Sequence, residues 1–247
     1  IQLDTAGMQP YTADALGGVQ TSLFAMPETL DNMDFQKLIV DANITNLRFP
    51  GGTESDFIEP WEGDDKRVKF TSRYLQIKPY WIGKPLEKKY TYNEVYDFFD
   101  SVGADDITWV LDVAHHTPEQ IRMLADSWET NNRPITRIEF GNELYYRNWI
   151  DSPSMPDKNN NGTIADEYLE KSSAALKEIR KGTFQGKAGI IFPKPNVQGI
   201  NGSNDNFYGE NHYKTGWMDY FVHEADLSEF DAIIIHIYNG LIPPATA

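Results

Sequence analysis

The 247-residue chain contains no cysteine. Disulfide frameworks and thiolate metal sites are thereby excluded, while the compartment is left open. Basic residues are scarce: Lys+Arg 22 stand against Asp+Glu 37, for a net charge of −15. Nucleic acids and anionic lipid surfaces are bound through basic patches, so neither is an expected partner. No apolar run approaches the roughly 20 residues needed to cross a bilayer, so no membrane association is expected. Internal repeats and low-complexity linkers are also missing. The chain opens on Ile1 rather than Met and therefore reads as a processed or trimmed product. An acidic, cysteine-free, Tyr- and Trp-rich composition suggests an exported bacterial protein, secreted or periplasmic. Oligomeric state is not legible. The sequons at Asn43, Asn161 and Asn201 matter only in a glycosylating host.

What is present is enough for one large core. Hydrophobic residues make up 40% of the chain and aromatics 13%, which excludes a disordered acidic segment. Strand-like and helix-like patterns alternate along it. Gly18–Phe24 reads as a strand, Met33–Ala42 as a helix and Asn46–Phe49 as a strand. A long polar and aromatic stretch then runs to about Thr91. The pattern resumes with a helix over Tyr92–Val102 and an apolar strand over Ile107–Val113. Thr117, Pro118 and Gln120 form a helix start, and that helix runs to about Asn131. A strand follows over Pro134–Gly141, a helix over Ile164–Lys181 and a strand over Lys187–Phe192. A helix over Trp217–Ala225 and a strand over Ala232–Tyr238 complete the series.

Near-continuous apolar strands alternating with helices predict an α/β fold with a parallel sheet. Two architectures accommodate six βα units: an open doubly wound sheet, or a TIM (β/α)₈ barrel lacking its last two units. The doubly wound form usually carries a Gly-rich phosphate turn after its first strand, and Phe24-Ala-Met-Pro27 stands there instead. Complete barrels average about 250 residues, and the long loop after the second strand uses many of these. The incomplete barrel, as a single domain over residues 1–247, is the expectation.

In such barrels functional side chains gather at the C-terminal ends of the strands. The second strand here ends in Arg48-Phe-Pro-Gly-Gly-Thr53 and the third in Asp112-Val-Ala-His115-His116. The fourth ends in Glu139-Phe-Gly-Asn142-Glu143 and the sixth in His236-Ile-Tyr238. Each has an ordinary reading too: Glu143 as a first-turn helix carboxylate, Arg48 as a rim salt bridge, His115 or His116 as a cap. Four polar strand ends at one rim are what suggest a site.

The segment Ile138-Glu-Phe-Gly-Asn-Glu143 resembles the Asn-Glu signature of clan A glycoside hydrolases, which are retaining (β/α)₈ barrels. Leu47-Arg-Phe-Pro-Gly-Gly-Thr53 is similar to the second-strand segment of the clan's arabinofuranosidase-like and xylosidase-like members. His236-Ile-Tyr238 resembles the sixth-strand segment of cellulase-like members. The likeness spans Gly18 to Tyr238 as a framework and is specific at Arg48–Thr53 and Gly141–Glu143. It implies Glu143 as general acid/base, with its protonation tuned near a second carboxylate. It implies Asn142 on the sugar 2-hydroxyl and Arg48 beside the nucleophilic carboxylate. Tyr238 would lie beside that nucleophile, with His236 and either His115 or His116 lining the sugar site. No cofactor is required. The clan's nucleophilic Glu ends a seventh strand, so it is expected beyond residue 247. Glu210, Glu224 and Asp231 do not end such a strand, and this chain alone is expected to be inactive.

A carbohydrate partner is in keeping with the aromatics of the rim loops, which stack on sugar faces or simply pack the loops. Trp61, Tyr74, Tyr80, Trp81 and Tyr146 belong to this group, and Tyr145 and Trp149, just after Glu143, are the stronger candidates. Trp109 and Trp128 fall in core patterns. Lys66, Arg67, Lys69, Arg73, Lys78 and Lys84 would be needed to attract an anionic polysaccharide. Asp157-Lys-Asn-Asn-Asn-Gly-Thr-Ile164 matches the first eight positions of a calcium loop. Asp157, Asn159, Asn161 and the Thr163 carbonyl are its candidate ligands for a structural calcium, completed by Asp166 or Glu167; an Asn/Gly-rich turn is the alternative. Metal catalysis has little support, because His115 and His116, adjacent on a strand end, would point apart. Two other functions remain open: a non-catalytic carbohydrate-binding barrel, and a lyase or isomerase using Glu143 as base.

Overall fold

The computed structural model describes residues 18–20, 30–50, 55, 91–130, 135–142, 144, 165–182, 184–192, 217 and 220–235. Six strands form one parallel sheet: β1 (Gly18–Gln20), β2 (Asn46–Phe49), β3 (Asp106–Leu111), β4 (Arg137–Phe140), β5 (Lys187–Phe192) and β6 (Ala232–Ile235). Between them run α1 (Met33–Asp41), α2 (Tyr92–Ser101), α3 (Pro118–Thr130) and α4 (Ala165–Ile179). Trp217 and residues 220–223 are also helical. The protein is thus α/β, as its pattern predicts. Spatial order follows chain order from β1 to β6, every pair parallel. A doubly wound sheet reverses its order at a switch point, and no reversal occurs among the described strands. Right-handed crossovers that always advance in one direction lay successive helices on the same face.

Local chemistry sets the helix starts. Asn32 caps α1 by accepting from the Phe35 N–H at 3.0 Å. Thr91 and Glu94 close a capping box on α2, and Thr117 and Gln120 close another ahead of α3. The helix-facing rows of the sheet are apolar: Leu47 and Phe49, then Ile107, Trp109 and Leu111, then Ile138 and Phe140, then Ala188 and Ile190. Phe49 meets Trp109 edge-on at 4.8 Å, and Tyr92 and Tyr96 of α2 pack on the same indole. Trp109 is core, as expected; the Trp128 side chain lies outside the described residues. Tyr168 of α4 donates to the Phe140 carbonyl and accepts from the Ile191 N–H, tying α4 to the ends of β4 and β5.

The opposite face carries polar tiers. Near the N-terminal ends, Asp106 takes a hydrogen bond from Asn46 at 3.0 Å and an ion pair from Arg137 at 2.6 Å. One step along lies Arg48, and beyond it Glu139. Glu139 is in register with Gly189 of β5. A Cβ at Gly189 would collide with the Ile234 side chain, so the absence of a side chain there lets β5 and β6 close up beside Glu139. Among the described residues, no helix is long and apolar enough to cross a membrane.

Two strand ends differ from expectation. β3 stops at Leu111 rather than Val113, because the Asp112 carboxylate accepts from the Ala114 and His115 N–H groups and turns the chain. β4 ends at Phe140, because Gly141 adopts φ 76°, a left-handed conformation that side chains other than Gly disfavour. Its N–H still reaches the Leu111 carbonyl at 2.7 Å, holding the turn against β3.

Candidate functional site

The C-terminal ends of β2, β3 and β4 bring together Arg48, Asp112, His115, His116, Glu139 and Asn142. Arg48 lies on the face of β2 opposite Leu47 and Phe49, and Glu139 on the face of β4 opposite Ile138 and Phe140. Two strands separate by roughly 9.5 Å in the hydrogen-bonding direction, a gap that only long side chains can bridge. Arg48 crosses β3 to do so. Its Nε donates to Glu139 Oε2 at 2.6 Å and its Nη2 to Oε1 at 2.7 Å. This is a bidentate, charge-assisted pair.

Glu139 is 1% exposed and Arg48 16%. Burying either charge alone would cost several kcal/mol, so each compensates the other, and deleting one partner typically costs about 3–5 kcal/mol. Arg48 Nη2 also donates to Asn142 Oδ1 at 3.0 Å. Gly141 makes that contact available, since its left-handed turn carries Asn142 off the strand and back over the rim. Asn142 is itself buried.

The two histidines lie beyond the end of β3 at Leu111 rather than on the strand itself. Residues 113–115 form a turn. The Asp112 carboxylate, fully buried, meets His115 Nδ1 at 2.9 and 3.0 Å while also accepting the two turn N–H groups. A carboxylate on Nδ1 orients the ring and sets that nitrogen as a protonated one. His115 remains partly exposed, whereas His116 is buried and its N–H donates to the Asp112 carbonyl at 3.2 Å. Lys171 of α4 braces the turn through the Ala114 carbonyl at 2.8 Å.

Of the residues singled out in the sequence, Arg48 and Asn142 touch each other, and His115 and His116 occupy the neighbouring turn. Glu143, Tyr145, Trp149, His236 and Tyr238 lie outside the described residues. So do the calcium-loop positions Asp157, Asn159, Asn161 and Thr163; Asp166 and Glu167 open α4. Asp231 sits at the opposite end of the sheet, accepting from Ala188 N–H and pairing with Arg180. Glu139 and Asp112 have roles not foreseen from sequence. Strand alternation put Glu139 on the Arg48 face, and the Asp-x-x-His spacing at a strand end is an Asx-turn signal.

No family model matches this chain, and a search of curated proteins finds no match.

Proposed function

We propose that this chain is the larger part of a (β/α)₈ barrel and belongs to a retaining glycoside hydrolase of the clan A type. Support for the barrel comes from the sequential strand order and from strands such as β4 and β5 that are buried on both faces along most of their length. In this reading the sheet curls so that its polar face becomes the barrel lumen.

One observation carries the functional reading. Arg48 and Asn142, one from each of the two segments that specifically resemble the clan's motifs, are 94 positions apart and meet at one rim. Asn142 is adjacent to Glu143, which would protonate the leaving glycosidic oxygen and then deprotonate the incoming water. Asn142 would donate to the sugar 2-hydroxyl. Arg48 would face a nucleophilic carboxylate supplied by a seventh strand. That carboxylate would need to stand about 5–5.5 Å from Glu143 for retention. His115, oriented by Asp112, would line the sugar site. The protein would be exported, and calcium, where bound, would be structural.

The test is Glu143→Gln in the full-length polypeptide, assayed on natural glycosides. Hydrolysis is expected to fall by several orders of magnitude, on the order of 10³-fold or more from loss of the proton donor. A wild-type rate in that variant would refute the assignment. Sugar binding without turnover by the wild type would make this a binding barrel, and unsaturated products would make it a lyase.

A further inference from the structure

One turn of α4 reaches the ends of three strands. Tyr168 and Lys171 stand three residues apart and so share one side of the helix. The Tyr168 hydroxyl donates to the Phe140 carbonyl at 2.6 Å and accepts from the Ile191 N–H at 3.0 Å. Lys171 Nζ donates to the Ala114 carbonyl at 2.8 Å, across 57 positions of chain. The last residue of β4, the end of β5 and the turn after β3 are thereby fastened to one helical turn.

Ala114 is fully buried and lies beyond the end of β3, where the chain turns on the Asp112 carboxylate. A buried carbonyl outside a ladder needs a donor, because its lost hydration otherwise goes uncompensated. Lys171 supplies a charged one and gives up the freedom of a long stem to do so. The N–H of the next residue, His115, donates to Asp112 Oδ1 at 3.1 Å. These two groups belong to the same peptide unit, which is planar. Its carbonyl is held by an ammonium and its N–H by a carboxylate, so the plane is fixed at both ends. His115 is the side chain that this unit carries to the rim, and its Nδ1 meets the same carboxylate at 2.9 Å. Releasing the carbonyl end would let the plane turn and take the imidazole with it.

We infer that Lys171 is a positioning residue for His115: it fixes the Ala114–His115 peptide plane and so sets where the imidazole stands at the rim. Lys171 acts through the turn and needs no contact with substrate. Its effect on turnover rests on the glycosidase reading, in which His115 lines the sugar site. Its effect on the turn does not.

The experiment uses the full-length protein as wild type, Lys171→Met, Lys171→Arg, His115→Gln and the Lys171→Met, His115→Gln double variant. The first readout is amide hydrogen exchange by NMR. Lys171→Met keeps the stem and removes the ammonium. It is expected to speed exchange of the His115 N–H by about tenfold or more, the scale of losing one hydrogen bond to a charged group. The ladder N–H groups of Val110 and Ile190 should stay within about twofold, because such opening is local. Lys171→Arg, which can still donate, should recover most of the protection. If Lys171→Met does not fold, Lys171→Gln, with a polar end of shorter reach, takes its place. The second readout is kcat/KM on a 4-nitrophenyl glycoside that the wild type hydrolyses. Lys171→Met should lower it by about tenfold or more, as misplacing a group that lines a site does. The double variant should be no worse than His115→Gln, since residues acting in series are not additive. Unchanged exchange at His115 would overturn the proposal. So would faster exchange throughout the sheet, because Lys171 would then merely hold α4 in place. In a hydrolytic wild type, an unchanged kcat/KM for Lys171→Met or additive losses in the double variant would leave the glycosidase reading standing and remove the role of Lys171. A wild type that hydrolyses no glycoside removes that reading instead, and exchange at His115 then decides the role of Lys171 by itself.

Discussion

Tyr92 packs its ring on Trp109 and is buried, and burial pushes its phenol well above the ordinary tyrosine range by denying the phenolate water. The unfolded chain ionises Tyr92 near pH ~10 while the native chain keeps it neutral. Its contribution is therefore complete below that pH and is lost as pH rises through the interval above. Tyr92→Phe should show a shallower fall of Tm with rising alkalinity than wild type; identical slopes would mean that Tyr92 ionises freely in the native state. The same principle, that burial forces polar groups to find partners, explains what was legible at the site. Arg48 and Asn142 stood out because their segments carry recognisable spacing, and both are at the rim. Glu139 was visible as a polar strand residue, but its partner was not. Which arginine answers a buried glutamate depends on a register between β2 and β4 that passes through β3, and a single strand's pattern does not contain it. Asp112 was hidden differently, since an Asp after an apolar strand reads as the end of that strand until its carboxylate is seen to cap the turn and hold His115.

Helices were easiest to read where their ends are chemically marked. The start of α3 at Pro118 follows from Thr117 and Gln120, whose reciprocal bonds form as their spacing implies. The boundary of β3 was harder, because Val113 continues the apolar pattern while the backbone has already left the ladder. Hydrophobicity reports burial, and residue 113 is buried in a turn. α2 provides an element-scale test. Thr91 accepts from the Glu94 N–H at 3.2 Å, and Glu94 returns to the Thr91 N–H at 2.8 Å. Thr91→Ala removes the side-chain half of this box and should destabilise the protein by about 1 kcal/mol, measured by urea unfolding. Thr91→Ser should recover most of that loss, because the hydroxyl is what accepts. An unchanged midpoint for Thr91→Ala would mean that the first turn of α2 contributes nothing to the cooperative unit.

Across the whole molecule the sheet grows one βα unit at a time, and the treatment of β6 distinguishes it from its neighbour. Ile190 and Phe192 of β5 are covered, the latter by Phe221 at 4.7 Å between ring centroids. In register beside them, Ile233 and Ile235 of β6 face the same way but are 55% and 44% exposed against the described residues. In the proposed barrel this row is packed under a helix, as the equivalent rows of β2 to β5 are. Ile233→Asp measures the difference. Where the position is covered, an unpaired carboxylate in an apolar layer should cost about 2 kcal/mol or more. Where it faces water, the same change should fall within about 0.5 kcal/mol. The expected outcome for the proposed barrel is the large loss, read by urea unfolding, with slow hydrogen exchange at β6. A near-neutral substitution would mean that β6 keeps one face in water, and the barrel would then have no further strand on which to place the second carboxylate.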